Sequence, residues 1–426
     1  MSGPLAALWG NVRNSFWFLP TVMALGAVLL AEGAVNVDER VGLNALRSLP
    51  WVYGGSADGA RSMLGAIAGS VIGVAGTTFS ITVAALSLAS NQMGPRLLEH
   101  FTRDRGNQFA LGTFIATFAF CLLVLRTVRG GETPFVPHLA VTLGLALALL
   151  SLGVLIYFIA HIASGINVGT VIRLVSDELT GTIERQFPER DGARTAHVLT
   201  HASTEPGEAV RSDRSGYLQG VDVAGLIRLA ARSGGVIHLT VRPGDFVFPG
   251  MTVAHILPRA LEGVSDALVI GPRRTSRQDV EFAARQLVEV AVRALSPGIN
   301  DPFTAIAVLD HLGAALSRVS GRELPPSQFL KDGQVRLVMP VTDYNGLTDM
   351  MFHQIRQNGA SHPAVMLRLL EVLTAVAGQE HDPGRRESLR RHANLTLRAA
   401  LRETEEDADR HDLEERYRRF ERLLDP

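Results

Sequence analysis

A chain of 426 residues is long enough for roughly two or three domains, and a formal net charge of −1 gives no electrostatic argument for binding nucleic acid. Its 41 basic residues are all arginine except Lys331. A single cysteine, Cys121, lies in an apolar run, which excludes a disulfide within the chain and any cysteine-rich metal site.

Apolar residues concentrate in the first 163 residues, where four segments have the length and composition of membrane spans. The first, residues 16–31, contains Pro20 and stops at Glu32, so a short, kinked span is expected. With Arg13 before it, this run imitates a signal peptide. It is long for that role and no small-x-small cleavage site follows, which favours an uncleaved helix. The second span covers residues 62–90, the third 109–125 and the fourth 139–160. Residues 1–163 are therefore expected to form an α-helical transmembrane domain with the lipid bilayer as its surroundings and both termini on one side.

Arginine placement decides the side by a narrow margin. With the N terminus inside, Arg13, Arg96, Arg103, Arg105 and Arg173 are cytoplasmic, while Arg40, Arg47, Arg61 and Arg129 lie outside. A tail of about 260 residues without disulfide pairs favours the same orientation. No Asp, Glu, Lys or Arg falls near the middle of any of the four segments, which counts against a proton pump or an ion-coupled carrier. His138 and His161 flank the fourth segment and read as interfacial anchors.

Within the second span, Gly65, Gly69, Gly73, Gly76, Ser80, Ala84, Ser87 and Asn91 recur every three or four residues, the period of one helix face. At 1.5 Å per residue this stripe is about 39 Å long, enough to cross a bilayer. Glycine inside a helix costs about 1 kcal/mol relative to alanine, so something is expected to approach this backbone closely. Two readings follow: the stripe packs against another helix of the same bundle, or copies of it surround a water-filled axis. Thr78 and Thr82 fall on the opposite face, and Gly94-Pro95 ends the helix.

Beyond the spans, residues 164–213 read as a juxtamembrane helix, Val168 to Phe187, and a polar linker from Pro188 to Asp213. Residues 214–270 read as a small β-rich module with strands at Tyr217 to Gln219 and Val236 to Val241 around a helix from Val221 to Ala231. Its Gly244-Asp245-Phe246-Val247 turn resembles a half-motif of biotinyl- and lipoyl-type β-sandwiches. The modifiable lysine is missing, so a carrier arm is not expected.

Residues 271–426 read as mainly helical, with one short strand at 335–341. A helix from Asp279 to Leu295 ends at Ser296-Pro297-Gly298-Ile299-Asn300-Asp301-Pro302, and Asp301 with Pro302 starts the next, to Val319. Arg273 and Arg274, with Asn300 and Asp301 at this helix start, form a candidate anion or ligand site. Helices follow at Asn345 to Gln357 and His362 to Val376. The closing segments, Gly384 to Arg402 and Glu405 to Leu424, alternate Arg and Glu as solvated helical faces do.

His353, His362, His381, His392 and His411 form no HExxH or Cys/His pattern, so no metal site is expected from spacing. Phosphate-loop, dinucleotide and nucleophile-elbow motifs are missing as well, so neither an enzyme nor a cofactor is expected.

Thr77-Thr78-Phe79-Ser80-Ile81-Thr82-Val83-Ala84-Ala85-Leu86-Ser87-Leu88-Ala89-Ser90-Asn91-Gln92, with Gly94-Pro95-Arg96, Arg103-Asp104-Arg105-Gly106-Asn107-Gln108, Arg126-Thr127-Val128 and Ala294-Leu295-Ser296-Pro297-Gly298-Ile299-Asn300-Asp301-Pro302, resembles the bacterial predicted membrane proteins of domain of unknown function 2254 (DUF2254). The resemblance covers almost the whole chain. It implies a multi-pass protein of the bacterial plasma (inner) membrane and carries over no activity or site residues.

The expected fold class is thus an α-helical membrane domain followed by a soluble α+β domain. The leading functional expectation is a homo-oligomeric channel for ions or small solutes. Its order of membrane helices, β module and α/β tail resembles small-conductance mechanosensitive channels by architectural analogy alone. The alternative is a membrane-anchored sensor or scaffold whose cytoplasmic tail binds a ligand or protein partner.

Overall fold

The structure is a computed structural model that describes residues 15–41, 52–93, 104–131, 134–165, 167–189, 207–258 and 261–424. Arg13, Arg47, Arg96, Arg103, the Gly94-Pro95 break and most of the expected linker lie outside these residues. The chain divides into two compact units, Met1–Asn167 and Val168–Pro426.

Among the described residues the first unit contains four helices: α1 (Phe18–Val41), α2 (Ala57–Met93), α3 (Arg105–Thr127) and α4 (His138–Gly165). All four are long and apolar enough to cross a membrane. The first runs ten residues past the expected end at residue 31, to Val41, because Pro20 sits in its first turn, where no amide is needed, and leaves the helix interior unbroken. Glu32 consequently lies inside the apolar segment Phe18–Arg40, eight residues and about 12 Å before its end, and faces outward from the bundle. The longer span thus places Glu32 three residues beyond its midpoint, where the shorter expected segment had no charged residue near its middle.

α3 packs against α1, α2 and α4, burying Phe114, Phe120, Cys121 and Val124. Polar groups tie the ends of the bundle. Asp38 of α1 accepts from the amides of Leu139 and Ala140 at 3.0 and 2.9 Å, satisfying orphan donors at the start of α4. His138 Nδ1–H donates to the Tyr53 carbonyl at 2.6 Å, and the Tyr53 amide donates to Thr142 Oγ1 at 2.9 Å. At the other end Asp104 caps α3 through the Gly106 amide at 2.8 Å and pairs with His161 Nε2 at 2.6 Å. Both expected interfacial histidines therefore bond to the bundle itself.

The second unit opens with α5 (Val168–Gln186), whose Ile172, Val175, Leu179 and Ile183 repeat at helical spacing and are buried. It packs on α7 (Val280–Ala294) and α8 (Pro302–Ser320), so this expected juxtamembrane helix belongs to the core of the tail. Strand β1 (Glu208–Arg211) arises within the expected linker, pairing with β5 (Thr252–Leu257). Its four residues carry too little apolar alternation to announce a strand, and the partner edge supplies the ladder.

Two sheets follow. One is five-stranded, in the order β1-β5-β3-β8-β7, with β3 (Val236–Leu239), β7 (Gln328–Lys331) and β8 (Gln334–Val338). The other is three-stranded: β4 (Phe246–Val247), β2 (Gly216–Val221) and β6 (Leu268–Gly271). β3 pairs parallel with β8, setting Ile237 opposite Leu337, so the sheet joins the regions that the sequence separates near residue 270. β7 adds a strand the sequence reading did not contain. Helix α6 (Val223–Ser233) packs on β3, β7 and β8, and Leu218, Leu226, Ile237, Ile256 and Leu337 fill the core.

α9 (Tyr344–Gly359), α10 (Pro363–Ala377), α11 (Pro383–Glu403) and α12 (Asp407–Leu424) complete the unit. The last two do more than solvate a surface, since Leu389, His392, Ala393 and Thr396 of α11 and Leu413 and Phe420 of α12 are buried. Glu380, fully buried, pairs with Arg385 at 3.5 Å. Arg385 also donates to the Val319 and Arg322 carbonyls at 3.1 and 3.0 Å, so the charges enter the core already bonded.

Candidate functional site

In the tail, Arg274 is held within the chain. Its Nε donates to Asp279 Oδ2 at 2.5 Å and its Nη2 to Oδ1 at 3.1 Å, while Glu281 lies 3.9 Å away. Asp279 is the buried cap of α7, accepting from the Phe282 amide at 2.9 Å. Burial raises its carboxyl pKa, and the bonds from Arg274 oppose that rise. The Arg273 carbonyl accepts from Gln219 Nε2 at 2.7 Å.

Asn300 adopts φ +50° and its Oδ1 accepts from His362 Nε2 at 3.0 Å. Asp301 accepts from the Thr304 amide at 3.1 Å and hydroxyl at 2.6 Å, so its own carboxylate stands at the start of α8 where an external anion was expected. Arg274 and the Asn300–Asp301 pair thus bond different partners.

In the first unit, Gly65, Gly69, Gly73, Gly76, Ser80, Ala84 and Ser87 are all exposed, and the side chain of Asn91 lies outside the described residues. A Cβ placed on any of the four glycines meets nothing within 4 Å among the described residues beyond its own helix. The buried face of α2 is the opposite one, carrying Ala60, Leu64, Ala68, Val71, Ala75 and Thr78. Among the described residues the four glycines of the stripe therefore meet no other helix of the bundle, which packs instead on this mostly alanine face with Leu64 and Val71. Ser80 donates its hydroxyl to the Gly76 carbonyl at 2.9 Å and Thr77 to the Gly73 carbonyl at 3.1 Å, leaving oxygen lone pairs outward.

A cluster that sequence spacing missed lies between α9 and α11. Asp349 and His353 are four residues apart on one face of α9, and α11 brings His392 to them. His392 Nε2 lies 2.9 Å and His353 Nε2 3.1 Å from the same oxygen, Asp349 Oδ1. Arg391 Nη2 bonds that oxygen too, and lies 3.5 Å from His392 Nε2. His392 is fully buried, with the Phe352 ring edge-on at 5.7 Å. Burial, reinforced by the charges of His353 and Arg391, pushes its pKa down to about 4, and burial also lowers that of His353. At neutral pH both imidazoles are uncharged, the form that ligates metals. The Nδ1 atoms of both rings are buried without a hydrogen-bond partner among the described groups. The signal in the sequence was the Asp349–His353 spacing; nothing local connects it to a histidine 39 residues beyond His353.

A family profile described as Predicted membrane protein (DUF2254) matches residues 13–375. The chain belongs to this family. Within the DUF2254 family's reach, it is 36% identical over 425 residues to Uncharacterized protein Rv1290c of Mycobacterium tuberculosis (strain ATCC 25618 / H37Rv), covering 95% of this chain and 80% of that one. Uncharacterized protein Mb1321c of Mycobacterium bovis is similar to the same degree, 36% over the same coverage. No solved structure matches. The match makes the chain a predicted membrane protein, and four apolar helices agree with that class.

Proposed function

We propose that this DUF2254 protein is a homo-oligomeric channel for ions or small solutes in the bacterial plasma (inner) membrane, with its tail in the cytoplasm and α2 facing neighbouring subunits and the conduit. One observation carries the reading: the small-residue face of α2 is exposed along the helix while its opposite face packs the bundle. Four glycines at which an added Cβ meets nothing among the described residues cost helix stability with no return there, and close approach by a second copy supplies one. The test is single-channel current across a planar bilayer containing the purified full-length protein, under tension and at varied pH. Discrete openings that Gly73→Leu abolishes are expected; silence from folded, inserted protein overturns the reading.

A second reading, a membrane-anchored sensor or scaffold, is favoured by the acid–histidine cluster of α9 and α11, which offers the tail a binding function of its own. On that reading Gly73→Leu alters the oligomer and no current exists to lose.

A further inference from the structure

Three cationic or hydrogen-bonding groups converge on one carboxylate oxygen of Asp349, which has about two lone pairs to offer. Two of them are imidazoles fixed on separate packed helices, and His392 is fully buried. The third, Arg391, comes from the solvent side, its side chain 42% exposed. Its terminal nitrogen touches Asp349 Oδ1 and stands 3.5 Å from His392 Nε2. A cation of the chain thus reaches into the gap between the potential ligand atoms.

We propose that Asp349, His353 and His392 bind one divalent first-row transition-metal ion of the zinc class, with Arg391 as the displaceable cation that holds the place when the metal is away. Two imidazoles and one carboxylate are the donor set such ions favour. In a tetrahedral zinc shell with bonds near 2.0–2.1 Å, ligand atoms lie about 3.3 Å apart. The separations here, 2.9 Å from His392 and 3.1 Å from His353 to Asp349 Oδ1, need shifts of a few tenths of an ångström. In the metal-free chain both Nε2–H groups donate to the Asp349 carboxylate, so metal binding requires each neutral ring to change tautomer, giving up the Nε2 proton and taking one on Nδ1. Arg391 moves outward to water as the ion enters, and water completes the shell on that open side. This assignment stands apart from the channel reading, since it concerns the tail alone.

The experiment is a Co2+ titration of the full-length, detergent-solubilised protein, stripped with chelator and prepared without a polyhistidine tag, read by visible d–d absorption. Saturation at one ion per chain, reversal by Zn2+, at least tenfold weaker binding in both His353→Ala and Asp349→Asn, and tighter binding in Arg391→Ala are expected. His353 and Asp349 are only partly buried, so these variants are suited to a folding check by circular dichroism. No Co2+ spectrum from the wild-type chain overturns the proposal, as does a spectrum that survives unchanged in folded His353→Ala and Asp349→Asn. Affinity unaltered or weakened in Arg391→Ala removes the place-holding role of that arginine.

Discussion

Gly244 illustrates how single residues carry the tail. It adopts φ +100°, a conformation side-chain-bearing residues rarely hold, and its amide donates to the Leu218 carbonyl at 2.8 Å. A Cβ there collides with the carboxylate of Asp279 and with Arg274, a pair that cannot yield without exposing a buried charge. Gly244→Ala is therefore expected to destabilise the protein by about 1–3 kcal/mol, through strain and displacement of the pair together. A thermal melt that leaves the variant at the wild-type midpoint contradicts this. The turn itself was legible, because Arg242-Pro243-Gly244-Asp245 is a turn signal. What presses on it was not: Asp279 is 35 residues away, and residue types alone do not say that its carboxylate points at this glycine.

At the scale of elements, capping and periodicity announced most helices to within a few residues. Asp301, read from the sequence as a cap, accepts an amide at its helix start, and the structure adds Asp279, Asp343 and Asp382 in the same role. α2 shows the limit of such reasoning, for a period of 3.6 marks a face without saying what the face meets. On this helix Gly69 is exposed and Ala68 is buried. Gly69→Leu is accordingly expected to leave thermal stability in detergent near wild type while reducing chemical cross-linking between copies. Ala68→Leu overfills the bundle and is expected to cost about 1–3 kcal/mol. Cross-linking that persists in Gly69→Leu assigns this face to lipid and removes the oligomer argument. Short strands were the least legible elements: β1 and β7 have four residues each, too few for alternation to stand out from a loop.

Across the whole molecule, the tail owns a complete core. α5 is packed into it, the five-stranded sheet draws strands from both sides of residue 270, and the unit begins at Val168. A fragment of residues 168–426 is expected to be soluble without detergent and to unfold in one cooperative transition, because it contains its own buried core, even though single apolar side chains such as Phe248 and Phe303 stay exposed. The same fragment begun at residue 188 loses Ile172, Val175, Leu179 and Ile183 from the core and is expected to aggregate or melt far lower. Equal melting of the two fragments, followed by circular dichroism, argues against α5 as part of the tail.

By itself the sequence determined the class: membrane helices, an α+β tail, the helix starts and the family, all of which rest on residues close together in the chain. Only the tertiary structure decided which face of α2 the bundle takes, that Arg274 answers to Asp279, that β3 pairs parallel with β8, and that His392 meets Asp349 and His353. Helical period, caps and turns act over three or four residues and leave their mark in the local pattern. Burial and the convergence of side chains depend on contacts between distant segments, which that pattern does not encode.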